Sequence, residues 1–249
     1  MRWTIFPLVP SEMVIDLGRM TYLRNYGKAL WLPCPFFIVK GGKETFMVDT
    51  SGSAKVMSKL RVEPVRDVMS LDEALERVDL KPQDISLVVL THLMYDHCAN
   101  AKLLPNARFV VQKKELEYAE NPHPLFAGAY QSQLFEGLNF EVIEGDHQLM
   151  PGIDIIHSPG HSPGCQSVAV KTSAGTAVIT GFCCVMDNFE PESGSAWVSQ
   201  RLPEVIPPGI HTDMLQAYES ALRVKNLADI IIPMHDPIMA GKEKIPEGG

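Results

Sequence analysis

Six residues carry the densest chemistry in this chain: His92-Leu93-Met94-Tyr95-Asp96-His97 sets two imidazoles and a carboxylate directly after the apolar run Ile85 to Leu90. Imidazole and carboxylate suit zinc, manganese or iron, and a strand end followed by a short loop can aim several such groups at one point. Two more histidines stand in similarly punctuated stretches, His161 within Pro159-Gly160-His161-Ser162-Pro163-Gly164 and His235 within Ile232-Pro233-Met234-His235-Asp236-Pro237. An isolated histidine is more often a surface or satisfied core residue, and His123, His147 and His157 are read that way.

The elements that must position these groups follow from apolar periodicity. Phe36 to Val39 and Thr45 to Val48 flank Lys40-Gly41-Gly42-Lys43-Glu44 and read as a hairpin that leaves Asp49 at a strand end. Val68 to Val78 has helical spacing, and Lys81-Pro82-Gln83-Asp84 breaks it before the buried strand that delivers the histidine motif. Strands are expected at Arg108 to Val111, Phe140 to Ile143, Ile153 to His157, Ser167 to Lys171, Thr176 to Thr180 and Asp229 to Ile232, with a helix from Lys113 to Ala119. A last helix starts at Thr212 or Asp213, both good caps. Strand groups with helices between them predict an α+β fold of two sheets covered by helices on their outer faces. Each candidate ligand then lies just past a strand end, where loops carry function on a rigid scaffold.

The 249 residues, 45% of them hydrophobic, contain no linker, repeat or low-complexity run, so a single domain over 1–249 is expected. A net charge of -8 argues against a nucleic-acid surface and leaves a small molecule as the partner. No apolar segment approaches the ~18 residues that span a bilayer, and the proline-broken N-terminus is no export signal. Five cysteines without a pairing pattern fit reduced thiols in the cytoplasm. Homodimer formation is left open.

The motifs resemble those of the metallo-β-lactamase superfamily, and most closely its branch of acyl-homoserine lactonases and pyridoxolactonase-like enzymes. The resemblance covers most of the chain and implies a four-layer αβ/βα sandwich with two mixed sheets. The family's core motif is His-x-His-x-Asp-His, and here the sequence is His92-x-Met94-x-Asp96-His97. The loops around His161 and His235 look like the family's later histidine loops, Asp49 matches an aspartate that supports the site from outside the ligand shell, and Pro207-Pro208-Gly209-Ile210-His211 looks like the lactonase branch. Two departures stand out. Met94 replaces a histidine of the first metal set, and no carboxylate occupies the bridging position after Val178-Ile179-Thr180-Gly181, where Phe182 aligns best and a one-residue slip presents Cys183. A thioether is a poor ligand for a hard divalent ion, and a phenyl ring is none.

The resemblance therefore implies one divalent ion, zinc before manganese or iron, held by Asp96, His97 and His235. His92 and His161 are left to complete the shell, bind substrate or assist catalysis. The expected reaction opens a cyclic ester, with Asp96, His92 or His161 moving the proton to the leaving oxygen. Losing a bridging ion favours an aromatic or otherwise activated lactone. Tyr95 and His211 are expected to face substrate, although Tyr95 could simply pack under its loop and His211 could be a loop residue before the helix. Trp31 and Trp197 could wall an apolar pocket or sit in the core, and Cys183 and Cys184 read as small core residues. A mononuclear iron enzyme acting on dioxygen or a thiol, and a metal-free binding module of the same fold, are the competing readings.

Overall fold

A computed structural model describes residues 2–191 and 203–247. Its first sheet has seven strands in the order β4-β1-β2-β3-β5-β6-β7, formed by β1 (Thr4–Asp16), β2 (Ala29–Gly41), β3 (Glu44–Val48), β4 (Val65–Asp67), β5 (Leu87–Val89), β6 (Arg108–Gln112) and β7 (Phe140–Ile143). The second has five, in the order β12-β11-β10-β9-β8, from β8 (His147–Met150), β9 (Ile153–His157), β10 (Gln166–Thr172), β11 (Gly175–Ile179) and β12 (Ile230–Ile232). Both sheets are mixed: β3, β5, β6 and β7 run parallel, as do β11 and β12, and the remaining pairings are antiparallel.

Period-two alternation assigns each strand two buried faces. Phe37, Val39, Phe46 and Val89 point between the sheets and meet Ile153, Ile155, Val168, Val170, Ala177 and Ile179 from the other side. Their neighbours Phe36, Ile38, Met47 and Val88 turn outward onto Leu71, Ala74 and Leu75 of helix α2 (Leu71–Glu76) and Ala119 of α4 (Lys113–Glu120). On the far face, Ile156, Ala169 and Val178 pack against Ala221 and Val224 of α6 (Met214–Leu227). The result is the expected helix-sheet-sheet-helix stack. Helices α1 (Ala54–Met57), α3 (Tyr95–Cys98) and α5 (Ser132–Phe135) are single turns in the loops. No helix among the described residues is long and apolar enough to cross a membrane.

The structure departs from the sequence expectation in three elements. β1 is a 13-residue strand despite Pro7 and Pro10: Pro10 falls where the register with β2 shifts between Leu8 and Ser11, and Pro7 stays in register opposite Phe37. β2 is also 13 residues long, far beyond Phe36 to Val39. The helix expected over Val68 to Val78 begins only at Leu71, since Ser70 caps it with Glu73 in a capping box and the preceding residues pair as β4. The last helix starts at Met214 with Asp213 as its cap, accepting from Gln216 N.

Candidate metal centre

β5 ends at Val89, and the loop it releases passes through His92 into the single turn α3, which contains Asp96 and His97. Asp49, at the end of β3, holds this turn from behind. Its Oδ1 accepts from Thr91 N at 2.7 Å, and its Oδ2 accepts from Thr91 Oγ1 at 2.7 Å and from His97 Nδ1 at 2.8 Å. Asp49 adopts φ of 57°, a left-handed conformation uncommon outside glycine that aspartate tolerates better than most residues.

The other histidines are anchored in the same manner. His161 Nδ1 donates to the Ile210 carbonyl at 2.7 Å and His235 Nδ1 to the Pro33 carbonyl at 2.8 Å, while His92 Nδ1 meets Thr91 Oγ1 at 3.0 Å. Each inner nitrogen is thus engaged, which fixes the ring and presents Nε2 to the cavity as a lone-pair donor. His97 Nε2 lies 3.6 Å from Asp96 Oδ2, His235 Nε2 lies 3.9 Å from the same oxygen, and the Nε2 atoms of His92 and His161 are 3.3 Å apart. His235 Nε2 is buried with no hydrogen-bond partner among the described residues, as expected of an atom shaped to ligate. The donor set fits a divalent ion.

The site's electrostatics agree. Burial, reinforced by His97, holds His235 down to about 4, and burial with His97 likewise holds His161 at about 4. Burial and the neighbouring imidazoles hold His92 well below its ordinary value. Burial would lower His97 too, but the Asp96 and Asp49 carboxylates outweigh it and raise it. Asp96 is lowered because His97 and His235 overcome the cost of burial. At neutral pH, His92, His161 and His235 are therefore neutral imidazoles, the form that binds metal or accepts a proton.

All five sequence-predicted ligands meet at one cavity of about 430 Å³, which Met94 and Tyr95 also line. Phe182 packs into the core against Phe189, whereas Cys183 lines the cavity with its Sγ 3.2 Å from Met20 Sδ. Cys184 is buried, as expected. His211 lies outside the described cavity lining; its Nδ1 donates to Pro208 and its ring meets Tyr22 edge to face, while its neighbour Ile210 supplies the wall. Trp31 is 37% exposed, beneath the guanidinium of Arg66, and Trp197 lies outside the described residues.

Sequence reasoning missed four contributors. Glu115, on α4, accepts from Leu93 N, Ser162 Oγ and Tyr130 Oη, so one buried carboxyl ties the first histidine loop to the second. Burial raises its pKa against those bonds. Its setting in Lys113-Lys114-Glu115 is a run of charged residues that carries no mark of burial. Thr91 links Asp49 to His92, and Arg61 lines the cavity with a buried Nε that has no partner among the described residues. Cys34, between two prolines on β2, lies beside Asp96 and His235. Its sequence context carries no metal-ligand spacing, so only the pairing of distant strands could reveal it.

Residues 29–235 match the metallo-beta-lactamase superfamily. An N-acyl homoserine lactonase of Bacillus cereus is 32% identical over 121 residues, 47% of this chain and 46% of that protein, so the chain spans about half the length of the curated relatives it matches at this level. An N-acyl homoserine lactonase of Azorhizobium caulinodans is 25% identical over 229 residues, 83% of this chain and 82% of the relative. A solved structure of an N-acyl homoserine lactone hydrolase, with the product N-hexanoyl-L-homoserine bound at its catalytic metal centre, superposes with a TM-score of 0.77 at 24% identity, covering 97% of this chain and 96% of its own.

Proposed function

From the premise that this chain belongs to the metallo-beta-lactamase superfamily, we propose that it is a metal-dependent hydrolase that opens the ring of a lactone. The observation that carries this reading is the convergence of four anchored imidazoles and the Asp96 carboxylate on one cavity floor. The names of the relatives and of the superposed structure support the choice of a cyclic ester.

We further propose that a single ion is held by Asp96, His97 and His235. Two observations support this count: Met94 places a thioether where a ligand nitrogen would be needed, and Phe182 turns away into the core. Zinc suits two imidazoles and a carboxylate best, with manganese or iron as alternatives. When bound, the ion supplies Lewis-acid polarisation of the ester carbonyl and activates water. Asp49 and the Pro33 carbonyl keep His97 and His235 in register for it. His92 and His161, neutral and 3.3 Å apart, accept the proton released by water and pass it to the leaving ring oxygen, a role shared with Asp96.

An aromatic or otherwise activated small lactone fits the remaining wall. Met13, Ile15, Leu60 and Phe126 give an apolar slot, Tyr95 closes one side, and the free Nε of Arg61 offers a buried donor to a polar ring substituent. The five unbridged, buried cysteines support action in a reducing cytoplasm, and we take residues 1–249 as one domain. Metal analysis of the purified chain, combined with turnover of a lactone panel that varies ring size and aromaticity, tests the reading. One ion per chain with preference for activated lactones is expected; two tightly held ions would refute the single-ion arrangement, and no turnover of any lactone would refute the reaction.

A further inference from the structure

Cys34 holds a position that the proposed ligand set does not use. Its Sγ, a carboxylate oxygen of Asp96 and a ring nitrogen of His235 all lie within 4.8 Å of one another, and among the described residues this is the group of three metal-ligating side chains that meets so closely. The thiol is fully buried, and its strand also fixes the imidazole: His235 Nδ1 bonds to the carbonyl of Pro33, the residue before Cys34. His235 Nε2, buried and without a partner, supplies an independent sign that this corner is shaped around a ligand.

We propose that Cys34 is a thiolate ligand of the ion, completing with Asp96, His97 and His235 a shell of one sulfur, one carboxylate and two imidazoles. The proposal rests on the metal-hydrolase reading and adds a residue to it. Binding converts the Cys34 thiol to the thiolate and releases one proton to solvent. The side of Asp96 that is 12% exposed remains for a fifth ligand, since catalytic zinc sites expand to five-coordination. Sulfur compensates for the absent bridging carboxylate and turns the site towards zinc, cobalt or ferrous iron and away from manganese and magnesium. A thiolate also donates charge to the ion and weakens it as a Lewis acid, which accords with a substrate whose ring is already activated.

Met13, Met94 and Cys183 also line the cavity with sulfur atoms, so the test must separate Cys34 from these three. The full chain is loaded with cobalt(II), and its near-ultraviolet sulfur-to-cobalt charge-transfer band is recorded beside the visible ligand-field bands. The wild type, Cys183→Ala, Met94→Leu and Met13→Leu are expected to show the band. Cys34→Ser is expected to lose it while keeping the ligand-field bands, and to surrender cobalt to a chelator at least about tenfold more readily. Bound cobalt without a charge-transfer band, or a band that survives in Cys34→Ser, overturns the role of Cys34 and leaves the metal-hydrolase reading standing. Failure of the wild type to bind cobalt overturns both. Should Cys34→Ser not fold, zinc-edge X-ray absorption of the Met13→Leu/Met94→Leu/Cys183→Ala triple variant decides: a sulfur neighbour upholds the proposal, and a shell of only nitrogen and oxygen refutes it.

Discussion

At the residue scale, the proposed site separates groups that would touch an ion from groups that aim them. Asp96 and His235 face each other at 3.9 Å across the cavity floor, so Asp96→Asn and His235→Ala should each leave almost no metal after gel filtration. Met94→Leu should retain the ion within about twofold, because it exchanges one apolar side chain for another of similar volume. An equal loss from all three variants would sink the single-ion arrangement. Asp49 acts through His97: Asp49→Asn puts an amide next to the His97 Nδ1–H, and removing such a supporting acceptor costs about 10–100-fold in metal affinity. Chelator competition reads this directly, and unchanged affinity would show that the His97 ring is oriented by something other than Asp49.

At the element scale, two close approaches let the His161 loop reach the site. Gly160 has φ of 122°, and a Cβ there would stand 2.1 Å from the backbone nitrogen of Ala217 in α6. A Cβ at Gly164 would meet the backbone of Glu115 in α4 at 2.0 Å. The loop is therefore wedged between two helices, and Thr212 and Asp213 both donate to the Gly160 carbonyl at the entrance to α6. Gly160→Ala should cost roughly 1–3 kcal/mol in urea denaturation and weaken metal binding together, since displacing the loop moves His161. Ser70→Ala removes the cap of α2, remote from the site, and should cost about 1 kcal/mol with metal affinity unchanged. A Gly160→Ala protein of wild-type stability would mean that the loop is not wedged.

On the scale of the whole molecule, three buried imidazoles make the metal-free fold sensitive to acid. His92, His161 and His235 titrate below their unfolded value, so as pH falls from about 6.5 towards about 4 the unfolded chain binds protons that the native state refuses. Each removes about 1.4 kcal/mol of stability per pH unit over that window. His97 works in the opposite sense. Its folded pKa is raised, so its contribution is complete below about 6.5 and is lost as pH rises through the folded value. The three depressed imidazoles together should give a slope approaching three protons per molecule in urea titrations of chelator-treated protein, and His161→Gln should reduce it by about one. A stability that is flat between about pH 6.5 and about pH 5 would mean that these rings are hydrated in the fold.

The sequence alone determined the strands of alternating apolar residues and the loops that follow them, because these rest on local spacing, and the family resemblance of three motifs a few residues long drew His92, Asp96, His97, His161 and His235 together as candidates for one site. Its reading of Phe182 and Cys183 remained undecided, since a one-residue slip at a strand end reverses which side chain turns inward; packing against Phe189 decided it. Cys34 and Glu115 were legible only in three dimensions. Asp96 comes 62 residues after Cys34 and His235 201 residues after it, and it is the pairing of β1, β2 and β3 beside the α3 turn that brings the thiol to the carboxylate. Distance along the chain carries no signal of such a meeting; the sheet register does.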